Sequence, residues 1–217
     1  YYKHPASAQD LLNRREMIET STRLSSSTVL LIKEIGTDAL FALDLVSRVI
    51  DEKAGTDYHE RVSAFHQHAR DHDLALAVAQ TDVKGDRALL PSEQEHPDYY
   101  VRIVEERADG IVVRGCKAHT TNTPMVDEII VLPTRAIGEQ DAAYAVAFAI
   151  PVNTPGVKLL ASPFGASERR SEFHYPVSSK HHLVDTLTIF DDVFIPKERV
   201  FLQGEWQAAG FLANTFV

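Results

Sequence analysis

The stretch Gln80-Thr81-Asp82-Val83-Lys84-Gly85-Asp86-Arg87 sets a cation on either side of a glycine, with Pro91-Ser92-Glu93 a few residues on. Glycine lets backbone N–H groups approach an anion while Lys84 and Arg87 supply charge, and arginine can grip a phosphate through two parallel bonds. The Gly-x-x-x-x-Gly-Lys spacing of a P-loop is absent. The competing reading is an exposed turn in which Asp86 pairs with a neighbouring cation. A second polar run, Lys117-Ala118-His119-Thr120-Thr121-Asn122, follows a strand-like segment. Its threonines and backbone N–H groups suit the edge of a heterocycle, and His119 is the candidate general acid or base because imidazole titrates near neutrality. The alternative is that Thr120, Thr121 and Asn122 only satisfy the backbone of a turn.

Other candidates are weaker. His68 and His72 share a helix face with His66 close by, but Ala69-Arg70-Asp71 lacks the glutamate of a His-Glu-x-x-His site, so no metal is assigned. Cys116 reads as a small buried residue, with no cue for a lowered thiol pKa. Gly165-x-Ser167 is not a hydrolase elbow, and Arg169-Arg170 fits an anion clamp or a solvated turn equally well.

Apolar residues at three- and four-residue steps predict helices over the first eighty residues. Within 28–50 the stripe is Leu31, Ile35, Leu40, Leu43, Val46, Val49 and Ile50, with a break expected at Gly36-Thr37. Lys53-Ala54-Gly55 closes it, and Asp57 with Glu60 reads as a capping box opening a helix that carries Val62, Phe65 and Ala69. A further helix or turn is expected into 74–79. The period then changes: 100–105 and 110–115 form a hairpin through Arg107-Ala108-Asp109-Gly110, and 128–132, 144–150, 156–160 and 185–195 are further strands. Strand following strand predicts an antiparallel sheet or barrel. A last helix opens near Glu205. The expected division is a helical region 1–80, an antiparallel β-barrel domain 81–203 and the start of a C-terminal helical region 204–217.

The 217 residues carry a net charge of -9 and are 44% hydrophobic and 24% charged, the profile of a globular chain. That charge argues against nucleic acid or an acidic membrane surface as partner. Cys116 is the only cysteine, which rules out an internal disulfide and points to the cytoplasm. No run approaches the ~20 apolar residues of a membrane span, and the opening Tyr1-Tyr2-Lys3-His4-Pro5 has no signal-peptide core. Without an initiator Met, the natural start is expected upstream.

Three segments in order, Lys84-Gly85-Asp86-Arg87 with Pro91-Ser92-Glu93, then 109–119, then Phe190-Asp191-Asp192-Val193-Phe194-Ile195-Pro196, resemble the flavoprotein family of 4-hydroxyphenylacetate 3-hydroxylase and 4-hydroxybutyryl-CoA dehydratase. The resemblance implies an α+β, acyl-CoA dehydrogenase-like fold, helices then β-barrel, with the C-terminal helical bundle absent from this chain. It implies FAD as cofactor, bound by Thr81, Lys84, Gly85, Asp86 and Arg87 toward the phosphate side and by Lys117, His119, Thr120 and Thr121 at the isoalloxazine edge. It also implies a homo-oligomer, a dimer or tetramer.

The departures bear on the reaction. The dehydratase branch holds an iron–sulfur cluster with two cysteines that match Leu30 and Glu34 here, and neither is a cysteine. The hydroxylase branch has a substrate-binding histidine where this chain has Val78. The expected function is an FAD-dependent oxidoreductase, a two-component monooxygenase that hydroxylates an aromatic or related small molecule, with His119 catalytic and a flavin reductase as partner. The alternatives are a dehydratase or isomerase acting on a CoA thioester, whose phosphates Lys84, Arg87 or Arg169-Arg170 would meet, and a non-catalytic remnant or partner-binding subunit.

Overall fold

The computed structural model describes residues 1–25, 31–162, 171–177, 179 and 183–216. Helix α1 (Ala8–Leu24) is capped by the Ser7 hydroxyl, which accepts the Asp10 N–H, and it buries no side chain of its own. Arg14 ties it down by donating to Thr37 Oγ1 at 2.9 Å and Asp38 Oδ1 at 2.7 Å. Helix α2 (Leu31–Ala54) runs unbroken through Gly36 and Thr37, contrary to expectation. Gly36 is there for close approach: a Cβ on it would sit 2.3 Å from Leu76 Cβ. Leu40, Leu43, Val46 and Ile50 are buried as the stripe requires, while the Leu31 side chain is outside what is described. Helix α3 (Tyr58–Asp71) buries Val62, Phe65 and Ala69. The expected capping box does not form. Asp57 instead pairs with Arg61, and the Asp51 carboxylate from α2 accepts the Tyr58 and His59 N–H groups at 2.9 and 2.8 Å.

The segment expected as helix or turn before residue 80 is strand β1 (Leu76–Ala79). Seven strands follow: β2 (Arg102–Arg107), β3 (Gly110–Thr121), β4 (Glu128–Val131), β5 (Val146–Pro151), β6 (Val157–Ala161), β7 (Asp185–Pro196) and β8 (Val200–Gln203), then helix α4 (Trp206–Phe216). One sheet has the order β1-β4-β5-β8, the other β2-β3-β7-β6.

One pairing departs from the expected antiparallel sheet. Strand β1 pairs parallel with β4, Leu76 opposite Glu128, because the whole β2–β3 hairpin of the other sheet lies between them in sequence and returns the chain in the same direction. Among the described residues the strands form two four-stranded sheets, neither closed on itself.

The first sheet is covered on both faces. Leu76, Ile130, Ala147 and Ala149 face the helices, whereas Ala79, Ile129, Val131, Phe148 and Ile150 face the second sheet. Between the sheets the Phe148 and Phe190 rings meet edge to face with centroids 5.7 Å apart. Among the described residues no helix is long and apolar enough to cross a membrane.

Candidate functional site

Residues 117–121, expected to follow a strand, are themselves the end of β3. Its register with β7 shifts between Lys117 and Thr120, and at that bulge His119 takes a φ of 56° and points to solvent. The bulge brings the two polar motifs into contact. Asp82 and Lys117 form a β-bridge, and the Ala118 N–H donates to the Thr81 carbonyl at 2.8 Å.

Behind this junction the Lys117 ammonium is buried and bonds the carbonyls of Gln80 and Leu132, each at 2.8 Å, and Asp82 Oδ2 at 2.9 Å. Burial pulls that ammonium below its ordinary range against the attraction of Asp82. The Lys117 side chain therefore supports the loops from within, leaving its backbone to serve the expected flavin edge. Asp82 is the hub of the junction. Its carboxylate also accepts the Val101 N–H at 3.0 Å and the Thr134 hydroxyl, and its own N–H donates to Thr134 Oγ1 at 2.9 Å.

In the neighbouring loop Lys84 and Gly85 both have positive φ, 76° and 54°. A Cβ on Gly85 would lie 2.4 Å from Gln94 Oε1 and 2.7 Å from the Tyr99 ring. The buried Gln94 amide clamps Asp86 from both sides, donating to its carbonyl at 2.8 Å and accepting its N–H at 3.0 Å. The Asp86 carboxylate accepts the Ala88 N–H at 2.9 Å, closing its own turn. Lys84 and Arg87 have no ion-pair partner among the described residues, so Asp86 does not neutralise them.

Thr120 is fully buried, and its carbonyl accepts the hydroxyls of Thr123 and Thr186, each at 3.0 Å. Its own hydroxyl has no partner. The Thr121 hydroxyl donates to Asp185 at 2.8 Å. The structure thus gathers Thr81, Lys84, Gly85, Asp86, Arg87, Lys117, His119, Thr120 and Thr121 around one junction. Gln94, Thr134 and Tyr100 also belong to it. No spacing marked them, because each reaches the junction through a tertiary contact.

The other candidates lie apart. His66 is buried with Nε2 2.6 Å from the Tyr2 carbonyl, and His68 sits 3.5 Å from Glu128. Cys116 is half-buried, and burial pushes its thiol up. Gly165, Ser167, Arg169, Arg170 and Leu30 lie outside the described residues. Glu34 is buried in the first turn of α2 with Oε1 unpartnered, and desolvation raises its carboxyl above the usual range. Val78 is half-buried against the helical core.

Residues 1–202 match the family described as 4-hydroxyphenylacetate 3-hydroxylase N terminal. The chain belongs to this family. It is 39% identical over 185 residues to 4-hydroxybutyryl-CoA dehydratase/vinylacetyl-CoA-Delta-isomerase of Clostridium aminobutyricum, a match covering 84% of this chain and 38% of that protein. To the oxygenase component of 4-hydroxyphenylacetate 3-monooxygenase of Geobacillus sp. (strain PA-9) it is 32% identical over 206 residues, 92% of this chain and 40% of the other.

Among solved structures it is similar to an oxygen-tolerant archaeal 4-hydroxybutyryl-CoA dehydratase from N. maritimus, with a TM-score of 0.90 at 32% identity, covering 99% of this chain and 43% of that one. It is also similar to the oxygenase component HpaB of 4-hydroxyphenylacetate 3-monooxygenase complexed with FAD, with a TM-score of 0.81 at 28% identity and the same coverage. The chain spans less than half the length of these relatives.

Proposed function

We propose that this chain is the flavin-binding part of an FAD-dependent oxidoreductase, a two-component monooxygenase that hydroxylates an aromatic or related small molecule with reduced FAD from a separate reductase. The observation that carries the reading is the junction at Asp82 and Lys117, which holds a loop of unpaired cations beside a strand end with a buried, unpartnered hydroxyl. A dinucleotide with an isoalloxazine ring needs both: cations for its diphosphate and donors for its ring edge. The residues present fit that group.

Bound FAD supplies the electron transfer and the oxygen chemistry. Lys84 and Arg87 bind the phosphate side, and Gly85 and Asp86 shape the loop around it. Thr120 offers its hydroxyl to the ring edge, with Thr81 and Thr121 framing it. His119, turned outward by the bulge, holds or moves a proton at its imidazole. The apolar layer between the sheets keeps water from the back of the site. Residues 1–80 serve as support, 81–203 as the flavin-binding sheets and 204–217 as the opening of a further helical region. A homo-oligomer, a cytoplasmic location and the α+β acyl-CoA dehydrogenase-like domain plan with its barrel belong to the same proposal.

The higher identity and TM-score of the dehydratases favour a second reading, a dehydratase or isomerase of a CoA thioester. Against it stands Glu34, a buried carboxyl at a position the resemblance matches to a cluster cysteine. Titration with FAD followed by two turnover assays decides. The monooxygenase reading expects FAD binding and an oxygen-dependent hydroxylated product from a phenol such as 4-hydroxyphenylacetate. Turnover of 4-hydroxybutyryl-CoA without oxygen overturns it in favour of the second reading, and absence of FAD binding overturns both.

A further inference from the structure

Ser63, His66, Gln67 and Arg70 recur at three- and four-residue steps, so one stripe of α3 forms a wall of a half-open cleft of about 880 Å³. Asp44 and Arg48 of α2 stand on another wall, and the segment ahead of α1, Tyr2 to Pro5, closes one side. That strap is held in place. The Tyr2 hydroxyl donates to the Leu74 carbonyl, and the Tyr2 carbonyl lies 2.6 Å from His66 Nε2. The His4 ring meets the rings of His66 and Phe41 with centroids 4.5 and 4.9 Å apart, and Lys3 pairs with Asp10 of α1. None of these residues belongs to the junction of Asp82 and Lys117.

Charge in the cleft runs against that of the chain. Lys3, Arg48 and Arg70 line it with a single carboxylate, Asp44, although the net charge is -9. The two guanidinium groups are also only partly engaged. Among the described residues Arg48 donates from Nη2 alone, to the Asp44 carboxylate at 3.2 and 3.3 Å, and Arg70 from Nη2 alone, to Gln67 Oε1 at 2.6 Å. The Asp71 carboxylate stands 3.7 Å from Arg70 Nε, while both its oxygens accept the Gln67 amide at 2.7 Å. A guanidinium carries several N–H donors in a planar fork, so each arginine keeps an edge for a second acceptor. A cleft of this size is that of a small-molecule site, and oxyanions are what such forks bind best.

We propose that the cleft binds a small polyvalent oxyanion, a polycarboxylate or a phosphorylated compound, that bridges Arg48 on α2 and Arg70 on α3 while Lys3 adds charge from the strap. The ligand ties the strap to both helices and so stabilises the folded chain. The proposal is independent of the flavin reading.

The test is calorimetric titration of the intact protein, at one fixed low ionic strength, with citrate and with inorganic pyrophosphate. Arg48→Gln and Arg70→Gln are each expected to weaken the bound anion about tenfold, the scale of one charge-assisted hydrogen bond, and the double variant to weaken it further. Two controls are expected to keep wild-type affinity: Arg107→Gln, an exposed arginine paired with Glu105, and Arg87→Gln, which reports any binding at the flavin loop. The anion should also raise the thermal midpoint of wild type and not that of the double variant. Both arginine side chains are more than half exposed, at 58% and 56%, so the variants should fold, and Arg70→Lys, which keeps the charge, should retain part of the affinity.

Binding of citrate alone assigns the cleft to polycarboxylates and binding of pyrophosphate alone to phosphorylated compounds, and either supports it. Equal affinities in the double variant and wild type, loss in Arg87→Gln instead, or a wild type that binds neither anion overturns the proposal.

Discussion

The Lys117 ammonium lies 2.9 Å from the Asp82 carboxylate, with both side chains almost wholly shielded from solvent. A pair so placed sets geometry more than it adds stability, since the desolvation of two ions offsets much of their attraction. Removing one partner is different, because the other is stranded. Lys117→Met is expected to cost about 3–5 kcal/mol in urea unfolding, and Asp82→Asn a comparable amount. The double variant should recover part of that loss while FAD affinity stays low, because the two loops lose their shared anchor. Additive losses in the double-mutant cycle would show that the pair is not coupled.

Thr120 and His119 separate stability from binding. A buried hydroxyl without a partner carries a desolvation penalty, so Thr120→Val is expected to leave the thermal midpoint unchanged or higher without cofactor. FAD affinity should nonetheless fall about tenfold, the worth of one hydrogen bond. His119→Ala, at an exposed position, should keep stability and lose turnover. Wild-type affinity and turnover in both variants would remove the 117–121 segment from the site.

Gly85 is constrained twice, by a φ of 54° and by the Gln94 and Tyr99 atoms where a Cβ would go. Gly85→Ala must displace Gln94, whose amide holds Asp86 in place. The loop is at the surface, so the expected stability loss is modest, about 1–3 kcal/mol of local strain. The FAD dissociation constant should rise well beyond what that loss explains, measured on the same samples. An affinity loss no larger than that for riboflavin would place the phosphate contacts elsewhere.

For Gly36→Ala two effects of opposite sign compete. Alanine in a helix interior gains about 1 kcal/mol in propensity over glycine. The new methyl, however, would stand 2.3 Å from Leu76 Cβ, where β1 packs on α2, and overpacking typically costs 1–3 kcal/mol. The clash is between a helix and a strand, both held by other contacts, so the steric term wins and a net loss is expected in urea unfolding. A stabilised variant would mean that α2 can move away from β1.

The sequence made the helices legible where apolar spacing alone decides, as in Leu40, Leu43, Val46 and Ile50. It misled where a residue answers to a distant partner. Gly36 reads as a helix break but admits Leu76, and Asp57 reads as a cap although Asp51 does the capping. Strand β1 is four residues long, too short for periodicity to separate strand from helix, and its parallel partner lies about fifty residues away. At the site, the motifs identified the loops and their chemistry. They did not show that Lys117 turns inward, because a lysine's burial depends on an acidic partner from another segment. Gln94, Thr134 and Tyr100 carry no local signal and emerge only once Asp82 and Asp86 draw their segments together.

His66 gives the fold a pH dependence whose sign can be worked out. Burial is the main cause holding its imidazole below the ordinary value of 6.5 in the folded chain, opposed first by the hydrogen bond to the Tyr2 carbonyl and then by Asp44, with His4 and Arg70 acting in the same direction as burial. The unfolded chain therefore takes up a proton near pH 6.5 that the folded chain refuses. Stability is fully present above that pH and falls as the pH drops through 6.5 toward the lower folded-state value. The expected observation is a urea midpoint that declines between pH 7.5 and 5 with a smaller slope in His66→Gln, whose amide can still donate to the Tyr2 carbonyl. His4, whose ring stands 4.5 Å from that of His66, is coupled to it, so the comparison is made in a His4→Gln background, where the remaining histidines cancel. Identical slopes would show that the imidazole is protonated as readily in the fold as outside it, and that the Tyr2 contact, not burial, governs the side chain.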